Sequence, residues 1–143
     1  MPFTATTLAL AFSAAFAVPP PPPKAIVLPM PIAKVETVRQ RVEAYFSDIP
    51  IMAAIAGCES HYKQFNMSGR IFRGEINDRD VGIMQINEDY HLEDSRALGF
   101  DVHTIKGNLE FARYLYEREG VAPWSSSSYC WSKSNANLAR TSK

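Results

Sequence analysis

The chain has 143 residues, of which 46% are hydrophobic and 21% charged; this fits one globular domain and excludes a fibrous or wholly disordered protein. Its 15 basic residues are balanced by 15 acidic ones, so there is no cationic surplus to neutralise a nucleic-acid backbone. The basic residues of the N-terminal stretch, Lys24 and Lys34, have no acidic counterparts there. The rest of the chain is therefore mildly acidic, and we expect no nucleic-acid partner.

The N-terminus carries an apolar run at residues 8–18, too short for the roughly 20 residues that a membrane-spanning helix needs. The run matches the apolar region of a secretory signal, and Ala15-Phe16-Ala17 offers the small residues that signal peptidase accepts. We therefore expect residues 1–18 to be a signal peptide and the protein to be exported to the periplasm, the cell wall or the medium, with no membrane span left after cleavage. Because residues 1–7 lack Lys and Arg, an uncleaved apolar N-terminus or an upstream start is the alternative.

Prolines dominate residues 19–34, with five in succession at 19–23 and two more at Pro29 and Pro31. Such a stretch favours extended polyproline II and predicts a stiff linker, with an SH3-type ligand as the alternative. Residues 35–131 then form the domain. Residues 132–143 are polar without an apolar period, which predicts a flexible tail.

Two helices are expected to open the domain. The first has apolar residues at three- and four-residue spacings, at Val35, Val38, Val42, Tyr45 and Phe46. The second is apolar on every side through Cys58, which predicts a buried helix. Pro50 suits its first turn, and Ser47 or Asp48 is the predicted cap.

The helical period disappears between residues 65 and 80, where Gly69, Gly74 and Asn77 supply turn chemistry. Residues 70–73 and 75–76 are therefore predicted to pair as a small antiparallel hairpin. A later helix ends before Gly120 and has its apolar stripe at Ile105, Leu109, Ala112, Leu115 and Tyr116. The expected fold class is α+β, mainly α, with a small antiparallel β-hairpin.

Glu59 is the residue whose position points to chemistry. It follows Ile55 by four residues and Ala56 by three, so it projects from an apolar helix near its C-terminus. Burial and the negative end of the helix dipole both disfavour the carboxylate, so we expect a raised pKa for Glu59. A carboxyl that stays protonated near neutral pH is what a glycosidase uses to protonate a leaving oxygen. The alternative is a Glu at a fraying helix end that points to water.

Two ordered motifs accompany this carboxyl. Cys58-Glu59-Ser60 ends the apolar helix, and later comes Asp80-Val81-Gly82-Ile83-Met84-Gln85-Ile86-Asn87. Together they resemble the lysozyme-like superfamily, and within it the small bacterial lytic transglycosylases that accompany secretion and pilus systems. Animal lysozymes show a related Asp-x-Gly-Ile-x-Gln-Ile-Asn. Asn108-Leu109-x-x-Ala112 also resembles the opening of the family's later helix, so the similarity covers about residues 49–115.

The resemblance implies a lysozyme-like fold with the substrate cleft between the helices and the hairpin. It also implies that Glu59 is the general acid for the β-1,4 bond between N-acetylmuramic acid and N-acetylglucosamine in peptidoglycan. In a lytic transglycosylase the sugar's own acetamido oxygen assists departure, and the same Glu then acts as a base on the C6 hydroxyl. In a lysozyme a water replaces that hydroxyl. The implied partners are peptidoglycan strands and a secretion or pilus apparatus, and no cofactor is implied.

Asp80 bears on the choice between these two reactions. It stands two residues before Gly82, where animal lysozymes carry a second carboxylate that stabilises oxocarbenium charge or forms a covalent intermediate. The alternative is a turn-forming Asp beside Asp78 and Arg79. The specialised transglycosylases also accept Asp at this place, so Asp80 alone does not establish hydrolysis.

Four neighbouring residues are candidate substrate contacts. The resemblance suggests that Ser60 hydrogen-bonds the substrate or orients Glu59; the alternative is a bond to its own helix end. Gln85 offers a donor and an acceptor suited to acetamido groups, and Met84 offers an adaptable apolar wall, although a core position fits Met84 better than substrate contact does. Asn87 is either a further contact or a turn residue.

One motif of the larger transglycosylases is missing. They present a late Ala-Tyr-Asn string whose Tyr contacts the acid, whereas the corresponding stretch here, residues 124–131, reads Trp-Ser-Ser-Ser-Ser-Tyr-Cys-Trp. Neither Tyr114 nor Tyr129 matches the spacing of that Tyr, so no catalytic role is assigned to either.

Cys58 and Cys130 are the only cysteines, and in an exported protein they predict one disulfide. Closing so long a loop stabilises the fold by about 4 kcal/mol in the chain-entropy model and would pin the C-terminal segment beside Glu59. The alternative is two unconnected thiols. A metal site is not predicted, because His61, His91 and His103 show no paired ligand spacing with the cysteines.

A different class of function is a lysozyme-like domain that binds glycan, or a partner protein, without cleaving it. In either case aromatic side chains would stack on the sugars, the candidates being Tyr62, Tyr90, Trp124 and Trp131. Glu59 favours the enzyme, because a pure binder has no need of a protonated acid.

Overall fold

The computed structural model describes residues 35–141, with side chains up to residue 134. The predicted signal peptide at residues 1–18 and the predicted linker at 19–34 lie outside the described residues. Within residues 35–141 the chain forms five α-helices, one 3-10 segment and one two-stranded antiparallel sheet. The fold class is therefore α+β and mainly α, as predicted.

The first two helices are α1, Val38–Tyr45, and α2, Pro50–Ser60. A capping box starts α1, in which the side chains of Thr37 and Gln40 each bond the backbone N–H of the other. The predicted cap of α2 is wrong, because the cap position is Ile49 and no side chain caps the helix. Asp48 instead accepts two hydrogen bonds of 2.8 Å from the guanidinium of Arg113 and so ties the α1–α2 turn to a later helix.

The hairpin consists of β1, Asp80–Val81, and β2, Ile86–Asn87, with Asp80 opposite Asn87. The predicted strands at 70–73 and 75–76 are therefore misplaced, since that stretch makes only isolated bridges. The reason is burial. Ile83 and Met84, in the turn of the observed hairpin, are completely buried, whereas Ile76 is fully exposed and pairing there would remove little apolar surface from water.

Two further helices follow, α3, Glu88–Ala97, and α4, Ile105–Glu119. The predicted stripe of α4 is confirmed, and the helix ends at Gly120, whose φ is 60°. No apolar stripe predicts α3, because its buried face is formed by Glu88 and Ser95. Asn87 caps α3 by accepting a hydrogen bond from the backbone N–H of Asp89.

The chain closes with the 3-10 segment Ala122–Ser127 and α5, Ser128–Thr141. Residues 132–141, which fall in the predicted flexible tail, belong to α5. Once α5 has started against α2, each added residue gains a hydrogen bond without a new nucleation cost, so a polar sequence extends the helix. Among residues 35–141 we find no helix with the length and apolarity needed to cross a membrane.

One apolar core joins α1, α2, the hairpin turn, α4 and the 3-10 segment. Its largest side chains that are less than 2% exposed are Phe46, Phe111, Met52, Ile55, Ile83, Met84 and Leu109. The hairpin turn is thus anchored in the core directly beside α2. This contact places the motif at 80–87 against the helix that carries Glu59.

Candidate active site

Glu59 lies in the last turn of α2, is half-buried and faces a groove of about 310 Å³. Asp80, Gln85 and Asn87 line the same groove, so the structure brings together four of the predicted site residues. The other lining residues come from the loop before β1, from β2, α3, α4 and the 3-10 segment: Asn77, Ile86, Tyr90, His91, Leu115, Glu119, Pro123, Trp124 and Ser126.

The electrostatic setting of Glu59 favours its protonated form. Burial raises the pKa of Glu59 above its ordinary value, and the nearby negative charge of Asp80 raises it further. A hydrogen bond of 2.6 Å from the Ser127 hydroxyl to Glu59 Oε1 acts in the opposite direction but is outweighed. The raised pKa of Glu59 agrees with the prediction, and burial is the predicted main cause. The charge of Asp80 is a second cause, which the prediction did not include.

Asp80 lies in β1 and receives two amide donors. Asn87 Nδ2 donates to Asp80 Oδ1 at 2.6 Å, and Asn77 Nδ2 donates to the same oxygen at 3.4 Å. Asn87 is also the cap of α3, so the turn role and the groove position, which were alternatives for Asn87, occur together. Both Asn side chains hold the Asp80 carboxyl in place at the groove.

Gln85 occupies the end of the hairpin turn in the left-handed region, with φ of 49°. A non-glycine residue in this region stores strain of about 1 to 3 kcal/mol and is common at functional sites. The Gln85 side chain donates to the carbonyl of Gly82 at 2.9 Å, which holds the residue in this conformation. Its amide therefore faces the groove from a fixed backbone.

Ser60 and Met84 do not line the groove, contrary to their prediction as substrate contacts. Both are buried, and the Ser60 hydroxyl donates to the carbonyl of Ile83 at 2.8 Å. From the other side, the backbone N–H of Ile83 donates to Gln64 Oε1 at 3.1 Å. Ser60 thus connects α2 to the hairpin turn, and Met84 is a core residue.

Two more buried side chains fix the same turn at Met84. The backbone N–H of Met84 donates to Asn108 Oδ1 at 2.9 Å, and its carbonyl accepts from Trp124 Nε1 at 2.9 Å. Asn108 Nδ2 also donates to the carbonyl of Val81 at 3.0 Å. The turn between the strands is therefore held by a clamp of four buried side chains: Ser60, Gln64, Asn108 and Trp124. This clamp sets the positions of Asp80 and Gln85.

The predicted disulfide between Cys58 and Cys130 is confirmed, with 6.0 Å between the two Cα atoms. It joins the residue before Glu59 to the first turn of α5. Ser127 lies three residues before Cys130, and this is how the chain brings the Ser127 hydroxyl to the acid. Ser127 was not among the predicted site residues, and its spacing from Cys130 is the sequence signal that could have identified it.

Only two of the four proposed stacking residues lie at the groove, namely Tyr90, which is 78% exposed, and the buried Trp124. Tyr62 lines a separate cavity of about 620 Å³ between α1, α2 and α5. Trp131 donates its indole N–H to the carbonyl of Trp124 and supports the 3-10 segment. The larger cavity contains neither Glu59 nor any residue of the motif at 80–87.

The three histidines are dispersed. His91 lines the groove, His61 ends α2 with a left-handed backbone, and His103 contacts Glu88 at 2.7 Å. In the part of the chain that the structure describes, no three His, Cys, Asp or Glu side chains form a group that could hold a metal ion.

Comparison of the chain with protein-family models, with curated proteins and with solved structures found no match in any of the three. The functional assignment therefore depends on the motifs and on the groove geometry.

Proposed function

We propose that the protein is a peptidoglycan-cleaving muramidase of the lytic transglycosylase type, with Glu59 as its general acid and base. The observation that carries the proposal is the half-buried Glu59 carboxyl, with a raised pKa, in one groove with Asp80 and Gln85. A protonated carboxyl beside a second carboxylate is the arrangement used to cleave glycosidic bonds.

In the first step, protonated Glu59 gives its proton to the oxygen of the β-1,4 bond as the bond from the muramic acid C1 to that oxygen breaks. The acetamido oxygen of the same sugar supplies the electron pair that C1 loses. Glu59, now ionised, removes the proton of the C6 hydroxyl, whose oxygen attacks C1 and displaces the acetamido oxygen. The products are a free N-acetylglucosamine hydroxyl and an anhydro-muramic end, and Glu59 is protonated again.

The lining of the groove suits a sugar chain. Asn77, Gln85 and Ser126 offer hydrogen-bond partners for hydroxyl and acetamido groups, and the exposed ring of Tyr90 offers a stacking surface. Among the described residues that line it, none is Lys or Arg. An uncharged glycan backbone fits such a surface better than a polyanion does.

Hydrolysis is the second candidate, because Asp80 lies in the groove with Glu59. A lysozyme would use Asp80 to stabilise the oxocarbenium charge or to attack C1. The hydrogen bonds that Asp80 accepts from Asn77 and Asn87 lower its nucleophilicity and favour an electrostatic role. A lysozyme-like domain that binds glycan without cleaving it is the third candidate, favoured by the exposed Tyr90.

Export to the periplasm, the cell wall or the medium is part of the proposal. The Cys58–Cys130 disulfide supports it, because such bonds persist in oxidising compartments. Peptidoglycan is the proposed partner, and a secretion or pilus apparatus is a further one on the strength of the sequence resemblance alone.

The test of the activity is the clearing of purified cell walls, followed by turbidity. We expect wild type to clear them and Glu59→Gln to lose at least about 1,000-fold in rate, because the amide cannot supply the proton. Glu117→Gln, at an exposed position of α4, is the matched control and should clear like wild type. Equal glycan binding by wild type and Glu59→Gln, with no clearing by either, would support the binder and refute the enzyme.

The chemistry is decided by mass spectrometry of the released fragments together with the Asp80→Asn variant. A transglycosylase yields anhydro ends, which are lighter than hydrolysed ends by one water, and should retain activity within about tenfold in Asp80→Asn. A lysozyme that depends on Asp80 yields hydrolysed ends and loses most of its rate in the same variant. Hydrolysed ends from the wild type would overturn the transglycosylase assignment.

A further inference from the structure

Ser127 presents one hydroxyl to two acceptors. Its Oγ lies 2.6 Å from Glu59 Oε1 and 3.1 Å from the backbone carbonyl of Trp124, both within hydrogen-bond distance. Because a serine hydroxyl carries a single hydrogen, it donates to one of these oxygens at a time, while its lone pairs remain free to accept.

The two acceptors match the two protonation states of the acid. When Glu59 is ionised, the hydroxyl hydrogen points to the carboxylate. When Glu59 is protonated, the hydroxyl donates to the Trp124 carbonyl and accepts the carboxyl hydrogen. Neither arrangement requires the Oγ atom to move, because both oxygens already lie within hydrogen-bond distance, and each arrangement gives every hydrogen an acceptor.

Ser127 is connected to the core on two sides. Trp124 is 3% exposed and donates its indole N–H to the carbonyl of Met84, so the carbonyl that Ser127 uses belongs to an anchored residue. On the other side, the Cys58–Cys130 disulfide joins the neighbour of Glu59 to the turn that follows Ser127. Both ends of the Ser127–Glu59 contact are therefore held from separate parts of the core.

We propose that Ser127 is a positioning residue that keeps the Glu59 carboxyl aimed into the groove in both of its protonation states. This inference rests on the proposed function, in which one carboxyl acts first as an acid and then as a base.

The charged groups around Glu59 determine how loss of the Ser127 contact changes the pKa of Glu59. Asp80 faces the groove from β1, Tyr90 and His91 face it from α3, and Glu119 faces it from the end of α4. Burial and Asp80 raise the pKa of Glu59, whereas donation from Ser127 lowers it. Removal of the hydroxyl should therefore raise this pKa still further and move the alkaline limb of activity to higher pH.

The experiment uses the full chain and two measurements. The Glu59 carboxyl is titrated by NMR in protein labelled with ¹³C-glutamate, with Glu59→Gln to assign the signal, and wall clearing is followed against pH. We expect Ser127→Ala to raise the pKa of Glu59 above the wild-type value, to shift the alkaline limb upward and to slow clearing about 10-fold to 100-fold. Ser125→Ala, an exposed neighbour in the same segment, is the matched control and should produce none of these three effects.

A second pair of variants separates the hydroxyl from packing. Ser127→Thr and Ser127→Val have nearly the same shape, and only Thr keeps the hydroxyl, so Thr should restore the pKa of Glu59 and Val should not. Equal titration of Ser127→Ala and Ser125→Ala, or of the Thr and Val variants, would overturn the proposal. If the wild type clears no walls but the titration shifts as described, the muramidase assignment fails while the Ser127–Glu59 contact is supported.

Discussion

At Gly82 both the backbone conformation and the packing of neighbouring side chains oppose the addition of a side chain. Its φ is +71°, and a Cβ atom there would lie 2.5 Å from Asn108 Nδ2 and 2.5 Å from Gln64 Oε1. Both amide groups are engaged in hydrogen bonds that hold the hairpin turn, so neither is free to move aside. The glycine of the motif is thus required by the clamp beneath the groove rather than by contact with a ligand.

We predict that Gly82→Ala lowers the free energy of unfolding by about 2 to 4 kcal/mol, the sum of left-handed strain and forced repacking. Chemical denaturation measures this value. Gly69→Ala is the control, because its φ is also positive, at +76°, but nothing lies within 4 Å of the added Cβ. Its cost should be about 1 kcal/mol. Equal losses in the two variants would show that the clamp does not resist the added methyl group.

At the scale of elements, Glu88 joins α3 to two loops. Its side chain is 6% exposed and accepts a hydrogen bond of 2.8 Å from Arg73 Nη1. The Glu88 carboxylate also lies 2.7 Å from His103 Nε2 and 3.8 Å from Arg79 Nη1. The hydrogen bond from Arg73 is the main reason that the pKa of Glu88 lies below its ordinary value. This polar cluster replaces the apolar stripe that α3 lacks.

The sign of the pH effect follows from this lowered pKa. In the folded protein Glu88 remains ionised to a lower pH than in the unfolded chain, so its contribution is present above the unfolded-state pKa and is lost as the pH falls through the folded-state pKa. We predict that Glu88→Gln costs about 1 to 3 kcal/mol at neutral pH and that the difference from wild type shrinks in acid. Denaturation curves between pH 7 and strongly acidic conditions give both values.

The control for this prediction is Glu43→Gln, which breaks an exposed pair with Arg39 on α1. Surface pairs of this kind contribute about 0.3 to 0.5 kcal/mol, so the variant should be close to wild type at every pH. A Glu88→Gln variant as stable as Glu43→Gln at neutral pH would mean that the cluster does not hold α3.

The elements that were predicted from the sequence are those with a local signal. For α1 and α4 the signal is the regular spacing of apolar residues, and for α2 it includes Pro50 at the start of the helix. For the disulfide the signal is the presence of only two cysteines. The hairpin strands, α3 and the helical end of the chain depend instead on partners distant in sequence. For example, the position of β1 depends on the turn that follows it, because Ser60 and Asn108 hydrogen-bond the backbone of that turn in the core.

The same distinction holds for the candidate site. Glu59, Asp80 and Gln85 were identified from motifs, and the groove brings them together. Ser127 was missed because its contact with Glu59 spans 68 residues, and the predicted disulfide indicated the C-terminal segment without indicating which of its side chains reaches the acid. Ser60 was predicted to contact the substrate because it belongs to the motif. A sequence motif does not indicate which way a side chain faces, and the Ser60 hydroxyl faces the hairpin turn.

At the scale of the whole molecule, the disulfide is the covalent link between the helix of the acid and the C-terminal helix. Its partners are 72 residues apart, so in the unfolded chain it closes a loop that contains the whole hairpin, α3, α4 and the 3-10 segment. Chain-entropy arguments place its contribution at about 4 kcal/mol. For a domain whose total stability is about 5 to 15 kcal/mol, this is a large share.

We predict that replacing both Cys58 and Cys130 by Ala lowers the free energy of unfolding by about 4 kcal/mol and slows wall clearing, because α5 no longer fixes the 3-10 segment beside Glu59. Denaturation and limited proteolysis of α5 measure the two parts of this effect. Reductant should destabilise wild type by the same amount and leave the double variant unchanged, which separates loss of the bond from loss of packing. A double variant as stable and as active as oxidised wild type would show that noncovalent contacts alone hold Ser127 at the acid.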